Sequence, residues 1–185
     1  MTLLANNEVN SLKLDKKRDI FLSILENHKG IIYKIANSYC RDDDVRKDLV
    51  QEIIIQLWMS FDRYDSKYKY STWIYKIALN TSISSYRKNK TRDKGILEFS
   101  EILQTSNYEI ESFEDDLNIK LLQKFIRELK EIDKALILLY LDGLNQKEIS
   151  KIMGITPSNI STKINRIKKA LKLKFTTYKT QNNEG

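Results

Sequence analysis

At 185 residues the chain has room for one domain or two small ones, and not for a large multidomain enzyme. Five Gly and one Pro, against the ~7% and ~5% of average proteins, are too few for a turn-rich β-sandwich or barrel. They exclude collagen-like and Pro-rich chains, and with 41% apolar residues they point to long helices around real cores. One Cys (Cys40) and one His (His28) exclude an intramolecular disulfide and leave structural zinc without its usual ligands, so no metal and no cofactor is expected. The longest apolar run, 135–141, is far short of the ~20 residues of a bilayer span. Asn6, Asn7, Glu8 and Asn10 interrupt any signal-peptide core. A cytoplasmic protein without direct membrane insertion is expected.

The formal charge of +7 is unevenly placed. Residues 1–90 carry net +5, 91–120 net −5 and 121–185 net +7. Two basic blocks thus flank an acidic stretch in which the apolar periodicity is lost. This divides the chain into an extension (1–18), a helical domain (19–90), an acidic linker (91–119), a second helical domain (120–175) and a tail (176–185). The fold class is all-α, with nucleic acid as the partner suggested for the basic blocks. Charge alone is equally compatible with a merely solvated surface.

In the first domain, Ile20, Phe21, Ile24 and Leu25, then Ile31, Ile32, Ile35 and Tyr39, fall at helical spacing. His28, in a polar stretch, is expected to be exposed, and Cys40 to be a small core residue. Asp42, Asp43 and Asp44 precede the amphipathic run Leu49, Val50, Ile53, Ile54, Leu57, Trp58. Acids there complement the positive end of a helix dipole; three consecutive carboxylates cannot all face one ion, which argues against a metal site. Residues 61–70, FDRYDSKYKY, break the periodicity and read as an exposed loop. Ser71 or Thr72 can cap a helix with the stripe Trp73, Ile74, Ile77, Ala78, Thr81. The acids of the linker, Glu98 to Asp116, lie among scattered Leu, Ile and Phe, and it is expected to be mostly irregular.

The second domain is the clearest. Leu121, Leu122, Phe125, Ile126 and Leu129 give one helix, and 133–141 gives another, stopped by Gly143. Asn145 with Glu148 three residues later forms a capping-box pattern. Ile149, Ile152 and Met153 follow on one face, and Gly154 suits a helix end with positive φ. Thr156 caps the next helix, Pro157 occupies its first position, and Ile160, Ile164, Ile167 and Leu171 form its buried stripe. Helix, Gly turn, helix is a helix-turn-helix, whose second helix presents Ser158, Asn159, Ser161, Thr162, Lys163, Asn165, Arg166, Lys168 and Lys169 on its outer face. Hydroxyls, amides and long cations together suit base edges and phosphates in a major groove. Residues 144–180 hold nine bases and one acid, Glu148, an imbalance that a purely structural hairpin would not need.

The loop suggests contact of another kind. Tyr64, Tyr68, Tyr70 and Trp73 alternate with Arg63, Lys67, Lys69 and Lys76, a pattern suited to stacking unpaired bases beside neutralised phosphates. Trp73 is expected to be partly buried, and the loop tyrosines to be the better stacking groups.

These motifs together resemble a known family. The run 48–52, DLVQE, with Leu57-Trp58, then 61–64, FDRY, then 68–73, YKYSTW, and 77–80, IALN, is similar to the second conserved region of bacterial RNA polymerase sigma factors. The run 154–166, GITPSNISTKINR, resembles the family's fourth region. Two regions joined by a short linker resemble the extracytoplasmic-function (ECF) group. The resemblance implies a sigma factor that directs the polymerase to specific promoters, without catalysis of its own. The helix with Asp48, Gln51, Glu52, Ile55 and Gln56 would dock on the β′ clamp, and the β flap of the core would be a further partner. Arg63, Tyr64, Lys67, Tyr68, Tyr70, Trp73, Lys76, Asn80, Arg87 and Lys88 would hold the −10 non-template strand with a flipped base. Ser158, Asn159, Ser161, Thr162, Lys163 and Arg166 would read the −35 duplex. The linker would thread the RNA-exit path, and an anti-sigma factor is an expected partner because the group commonly has one. Pro157, Asn159, Ser161, Thr162 and Lys163 depart from the family pattern, so the −35 preference does not carry over. A stand-alone helix-turn-helix regulator is the alternative, against which the pattern from Asp48 to Trp73 speaks. A nuclease or recombinase finds no nucleophile–base set in a chain with one His.

Overall fold

A computed structural model describes residues 2–40, 42–93 and 114–183, with side chains for 14–40, 42–88 and 117–181. Among the described residues there are seven α-helices, one 3-10 turn and no strand. The helices are α1 (Thr2–Tyr39), α2 (Asp43–Ser60), α3 (Tyr70–Asp93), α4 (Glu114–Arg127), α5 (Glu131–Leu141), α6 (Gln146–Met153) and α7 (Pro157–Asn183), with the 3-10 turn at Phe61–Arg63.

Helices α1 to α3 form one bundle because each contributes an apolar stripe at helical spacing. Phe21, Ile24, Ile32 and Ile35 of α1 meet Leu49, Val50, Ile53 and Leu57 of α2 and Ile74, Ala78 and Leu79 of α3, all buried. Each of these side chains except the smaller Ala78 contributes roughly 1.5–3 kcal/mol through removal from water. Phe21 sits edge-on to Trp58 and Phe61, with centroids 5.0 and 5.4 Å away, which closes the end of the bundle nearest the loop. The two apolar stripes expected in the first forty residues belong to one continuous helix, which has no break at residue 18. His28, expected to be exposed, is half-buried instead, its Nδ1 2.8 Å from the Ile24 carbonyl oxygen one turn back. The Asp42–Asp44 triplet opens α2 as read. Asp42 accepts hydrogen bonds from the backbone N–H groups of Asp44 and Val45, and Asp43 and Asp44 pair with Arg46 and Lys47 one turn on. Those two N–H bonds hold the Asp42 carboxyl below its ordinary value.

The cap expected from Ser71 or Thr72 is corrected by the structure. Helix α3 begins at Tyr70, and its first helical hydrogen bond runs from the Trp73 N–H to the Lys69 carbonyl, so both hydroxyl residues lie inside the first turn. The mostly irregular linker is narrowed at both ends. Helix α3 continues to Asp93 and α4 starts at Glu114. Residues 94–113, and with them the expected path through the RNA exit, lie outside the described residues. Helix α7 runs on past residue 175, with Phe175 and Tyr178 packed edge-on against Phe125 of α4.

Helices α4 to α7 enclose the second core, where Ala135–Leu139 of α5 are all buried against Ile149, Ile152, Ile160, Ile164 and Ile167. The two cores are contiguous, because α5 and α6 pack on α3 and α4 packs on α1.

Candidate polymerase and nucleic-acid interfaces

Helix α2 has two unlike faces. Leu49, Val50, Ile53 and Leu57 point inward, whereas Asp48, Gln51, Glu52, Ile55 and Gln56 are exposed on the opposite side. Ile55 keeps 55% of its surface in water, and Met59, one turn on, keeps 64%. An exposed apolar pair one turn apart and flanked by carboxylates and amides has the chemistry to meet a protein partner, and it takes no part in the core. Met59 escaped the sequence reading; its i+4 spacing from Ile55 is the signal that could have found it.

The aromatic–basic loop is more ordered than expected. Tyr64 and Tyr70 stack on each other with centroids 4.4 Å apart, and Tyr64 meets Trp73 edge-on at 5.4 Å. The Tyr64 hydroxyl donates to the Tyr68 carbonyl, which pins the loop across four residues. Trp73 is half-buried, as its place on the apolar stripe requires. Two of the three expected stacking tyrosines therefore already use a ring face on each other. Tyr68, 44% exposed, is the ring presented outward, with Arg63 and Lys67 exposed beside it. Beyond the loop, Lys76, Asn80, Ser84 and Arg87 recur at four, four and three residues and form one exposed stripe along α3, with the exposed Lys88 beside it. The loop and the stripe make one continuous polar, cationic and aromatic face.

The helix-turn-helix is built as its sequence dictates. Asn145 caps α6 through the N–H groups of Lys147 and Glu148, and the Glu148 carboxylate accepts from the Asn145 N–H. Gly154 ends the helix at φ 68°. The Ser150 hydroxyl donates to the Ile155 carbonyl at 2.6 Å and fastens the turn, and Thr156 Oγ1 accepts from the Asn159 N–H at 3.4 Å. On α7, Ser158, Asn159, Thr162 and Arg166 are exposed, while Ser161 and Lys163 are half-buried at the edge of the face. The Thr162 hydroxyl donates to the Ser158 carbonyl at 3.1 Å, so its lone pairs remain to accept. Arg166 donates to both carboxylate oxygens of Asp133 at 3.0 and 2.9 Å. That partner lies on α5, 33 residues earlier, a pairing that local sequence could not reveal.

Cys40 is half-buried beside the first core, and burial pushes its thiol up against the opposing pull of Arg46 and Lys134. Among the described residues no group of three or more His, Cys, Asp or Glu could hold a metal ion. No described helix is long and apolar enough to cross a membrane.

Comparison with known proteins agrees with this geometry. The family model for sigma-70 region 2 matches residues 24–92, and that for sigma-70 region 4 matches residues 119–171, about two thirds of the chain between them. The chain is 26% identical over 165 residues to the ECF RNA polymerase sigma factor SigW of Bacillus subtilis, covering 84% of this chain and 88% of that protein. It is 27% identical over 170 residues to the ECF RNA polymerase sigma-E factor of Escherichia coli K12, with 86% and 87% covered. Among solved structures, CnrH in complex with the cytosolic domain of CnrY shares the fold at a TM-score of 0.63 and 17% identity, covering 86% of this chain and 90% of that one. The sigma factor RpoE of Bartonella quintana, solved with the anti-sigma factor NepR, does so at 0.60 and 18%, with 84% and 93% covered. The region-2 match spans the α2 face and the aromatic stripe, the region-4 match spans the helix-turn-helix, and the chain belongs to the extracytoplasmic-function group of the sigma-70 family.

Proposed function

We propose that this protein is an alternative-type sigma factor that brings core RNA polymerase to specific promoters and holds the opened strand. The observation that carries the reading is the presence on one chain of two nucleic-acid faces of different chemistry. One is a capped helix-turn-helix with a polar outer face; the other is an aromatic and cationic stripe suited to unpaired bases. The α2 face with Ile55 and Met59 supplies the third element, a surface for a protein partner.

In this mechanism α7 enters the −35 major groove by its N-terminal half. Ser158, Asn159, Ser161 and Thr162 meet base edges, and Lys163 and Arg166 meet phosphates or bases. Arg63, Lys67, Lys76, Arg87 and Lys88 neutralise the −10 non-template strand, Tyr68 stacks an unpaired base, and Asn80 lines the position of a flipped one. Tyr64, Tyr70 and Trp73 shape that surface from behind. Asp48, Gln51, Glu52, Ile55 and Gln56 dock on the β′ clamp, and the second domain meets the β flap. Trapping unpaired bases favours the open state without ATP, because a ligand that prefers one state shifts the population toward it. The factor acts in the cytoplasm without catalysis of its own, and an anti-sigma factor is its natural restraint, as the solved complexes of CnrH and RpoE have for those proteins.

A core-binding titration tests the reading. Full-length protein is expected to form a stable complex with purified core polymerase and to compete with another sigma factor for it. Absence of any complex, with regulators removed, contradicts it.

A further inference from the structure

The 3-10 turn that opens the aromatic–basic loop is weakly held by its own neighbours in sequence. It spans Phe61–Arg63 and closes with a hydrogen bond from the Tyr64 N–H to the Phe61 carbonyl at 3.1 Å, and Ser60 ahead of it makes no side-chain cap. The Ser60 hydroxyl donates back into α2 instead, to the Gln56 carbonyl at 2.7 Å. The contacts that fix the turn come from α1. Phe21 meets the Phe61 ring edge-on, and Lys17, one helical turn earlier on the same face, donates to the Asp62 carboxylate at 2.7 Å. The Lys17 ammonium also lies 4.7 Å from the centre of the Trp58 ring, which itself packs on Phe21. Lys17 consequently keeps only 27% of its side chain in water, whereas Asp62 keeps 74%.

Two consecutive residues of the turn are thus anchored in different ways. Phe61 is packed between Phe21 and Trp73, with ring centres 5.4 and 6.1 Å away. Apolar packing has no direction of its own, so Phe61 by itself leaves the turn free to pivot. The Asp62 pair with Lys17, 45 residues earlier, removes that freedom. Arg63 follows directly, and then Tyr64, whose stack on Tyr70 and hydrogen bond to the Tyr68 carbonyl carry the position of the turn on to Tyr68. Lys17 is ill-suited to hold DNA itself, because Asp62 and the Trp58 ring already answer its charge. It also lies ahead of the region-2 match, which begins at residue 24.

We propose that Lys17 is a positioning residue for the opened strand. Through Asp62 it locks the Phe61–Arg63 turn, and so sets where Arg63, Lys67 and Tyr68 meet unpaired bases and phosphates. The proposal rests on the assignment of that loop to the −10 strand. Its effect has the opposite sign to that of charge alone. Removing the Asp62 carboxylate takes a negative charge from a cationic surface, which by itself strengthens DNA binding. As the loss of a lock, the same change weakens strand capture.

The test compares full-length wild type with Lys17→Met, which keeps an apolar stem against Trp58, with Asp62→Asn, and with the conservative Lys17→Arg. Each is assembled with core polymerase on a promoter at which the wild type initiates. Titration gives core affinity, and permanganate reactivity of the −10 thymines gives strand opening. Expected are an unchanged core affinity and thermal midpoint, and opening reduced about three- to fivefold by both Lys17→Met and Asp62→Asn, the scale of an exposed ion pair. Lys17→Arg should stay near wild type. The chain has two tryptophans, Trp58 and Trp73, so fluorine-labelled tryptophan gives two resonances in the protein alone. In Lys17→Met and Asp62→Asn the Trp73 resonance should move, because that ring packs on the turn through Phe61. A Trp73 resonance unmoved in both variants overturns the lock without recourse to any promoter. Opening that holds or rises with Asp62→Asn overturns it too, as does a core affinity that falls in step with opening. A wild type that opens no promoter contradicts the promoter reading and takes the strand role with it, a result separate from the fluorine spectra.

Discussion

Arg166 shows how a single partner changes what a side chain can do. Its guanidinium is shared between both oxygens of Asp133, whose carboxylate is 16% exposed, so one positive charge of the recognition face is already answered within the fold. Asp133→Ala is expected to tighten duplex binding and to steepen its salt dependence by about one phosphate contact. Binding measured against salt concentration checks this; an unchanged slope would mean that Arg166 never faces the backbone. Ser82 is the opposite case, a hydroxyl fully buried in α3 without a hydrogen-bond partner among the described residues. Removing an unsatisfied buried polar group relieves a desolvation cost of roughly 1–3 kcal/mol. Ser82→Ala should therefore leave the thermal midpoint equal or higher, and a clear drop in calorimetry would contradict it.

Elements follow from local chemistry wherever the chemistry is local. The cap at Asn145, the positive-φ residue Gly154, the Thr156 cap and Pro157 at the start of α7 were all legible because each acts within four residues of itself. Asn145→Ala is expected to cost about 1 kcal/mol in denaturant unfolding. Gly154→Ala should cost a further roughly 1 kcal/mol, because a Cβ disfavours φ 68° although no atom lies within 4 Å of its position. Helix α2 separates stability from function by face. Ile55→Asp falls on a side chain 55% exposed, so the midpoint should hold while core polymerase binding is lost. A matching fall in stability would place Ile55 in the fold instead of at an interface. The start of α3 was misread at Ser71 and Thr72, because the stacked Tyr64–Tyr70 pair and the Tyr64–Tyr68 hydrogen bond, which no propensity encodes, set where that helix begins.

At the scale of the whole molecule, two helical domains, a helix-turn-helix and an aromatic–basic surface were readable from periodicity, capping and charge. What stood outside the sequence is how the domains meet, because Asp142 with Lys34 and Tyr75, or Lys134 with Tyr39 and Tyr86, join positions tens of residues apart. That contact has its own pH signature. Burial first, and then the Asp142 hydrogen bond, push the Tyr75 hydroxyl above its ordinary value, and burial does the same for Tyr39. A raised pKa means that the protonated phenols stabilise the fold fully below the unfolded value of about 10, and that this is lost as pH rises through the folded values. The thermal midpoint should accordingly lose nothing from these two groups between about pH 7 and 9 and fall only above about pH 10. The promoter reading itself has a single most direct test, which is transcription by core polymerase supplemented with this protein on a library of genomic fragments, with the transcript starts mapped. Initiation at a defined set of sites sharing upstream −35 and −10 sequences, and only when the protein is present, is the predicted result; a core that binds the protein and yet starts at no sites of its own would contradict the account.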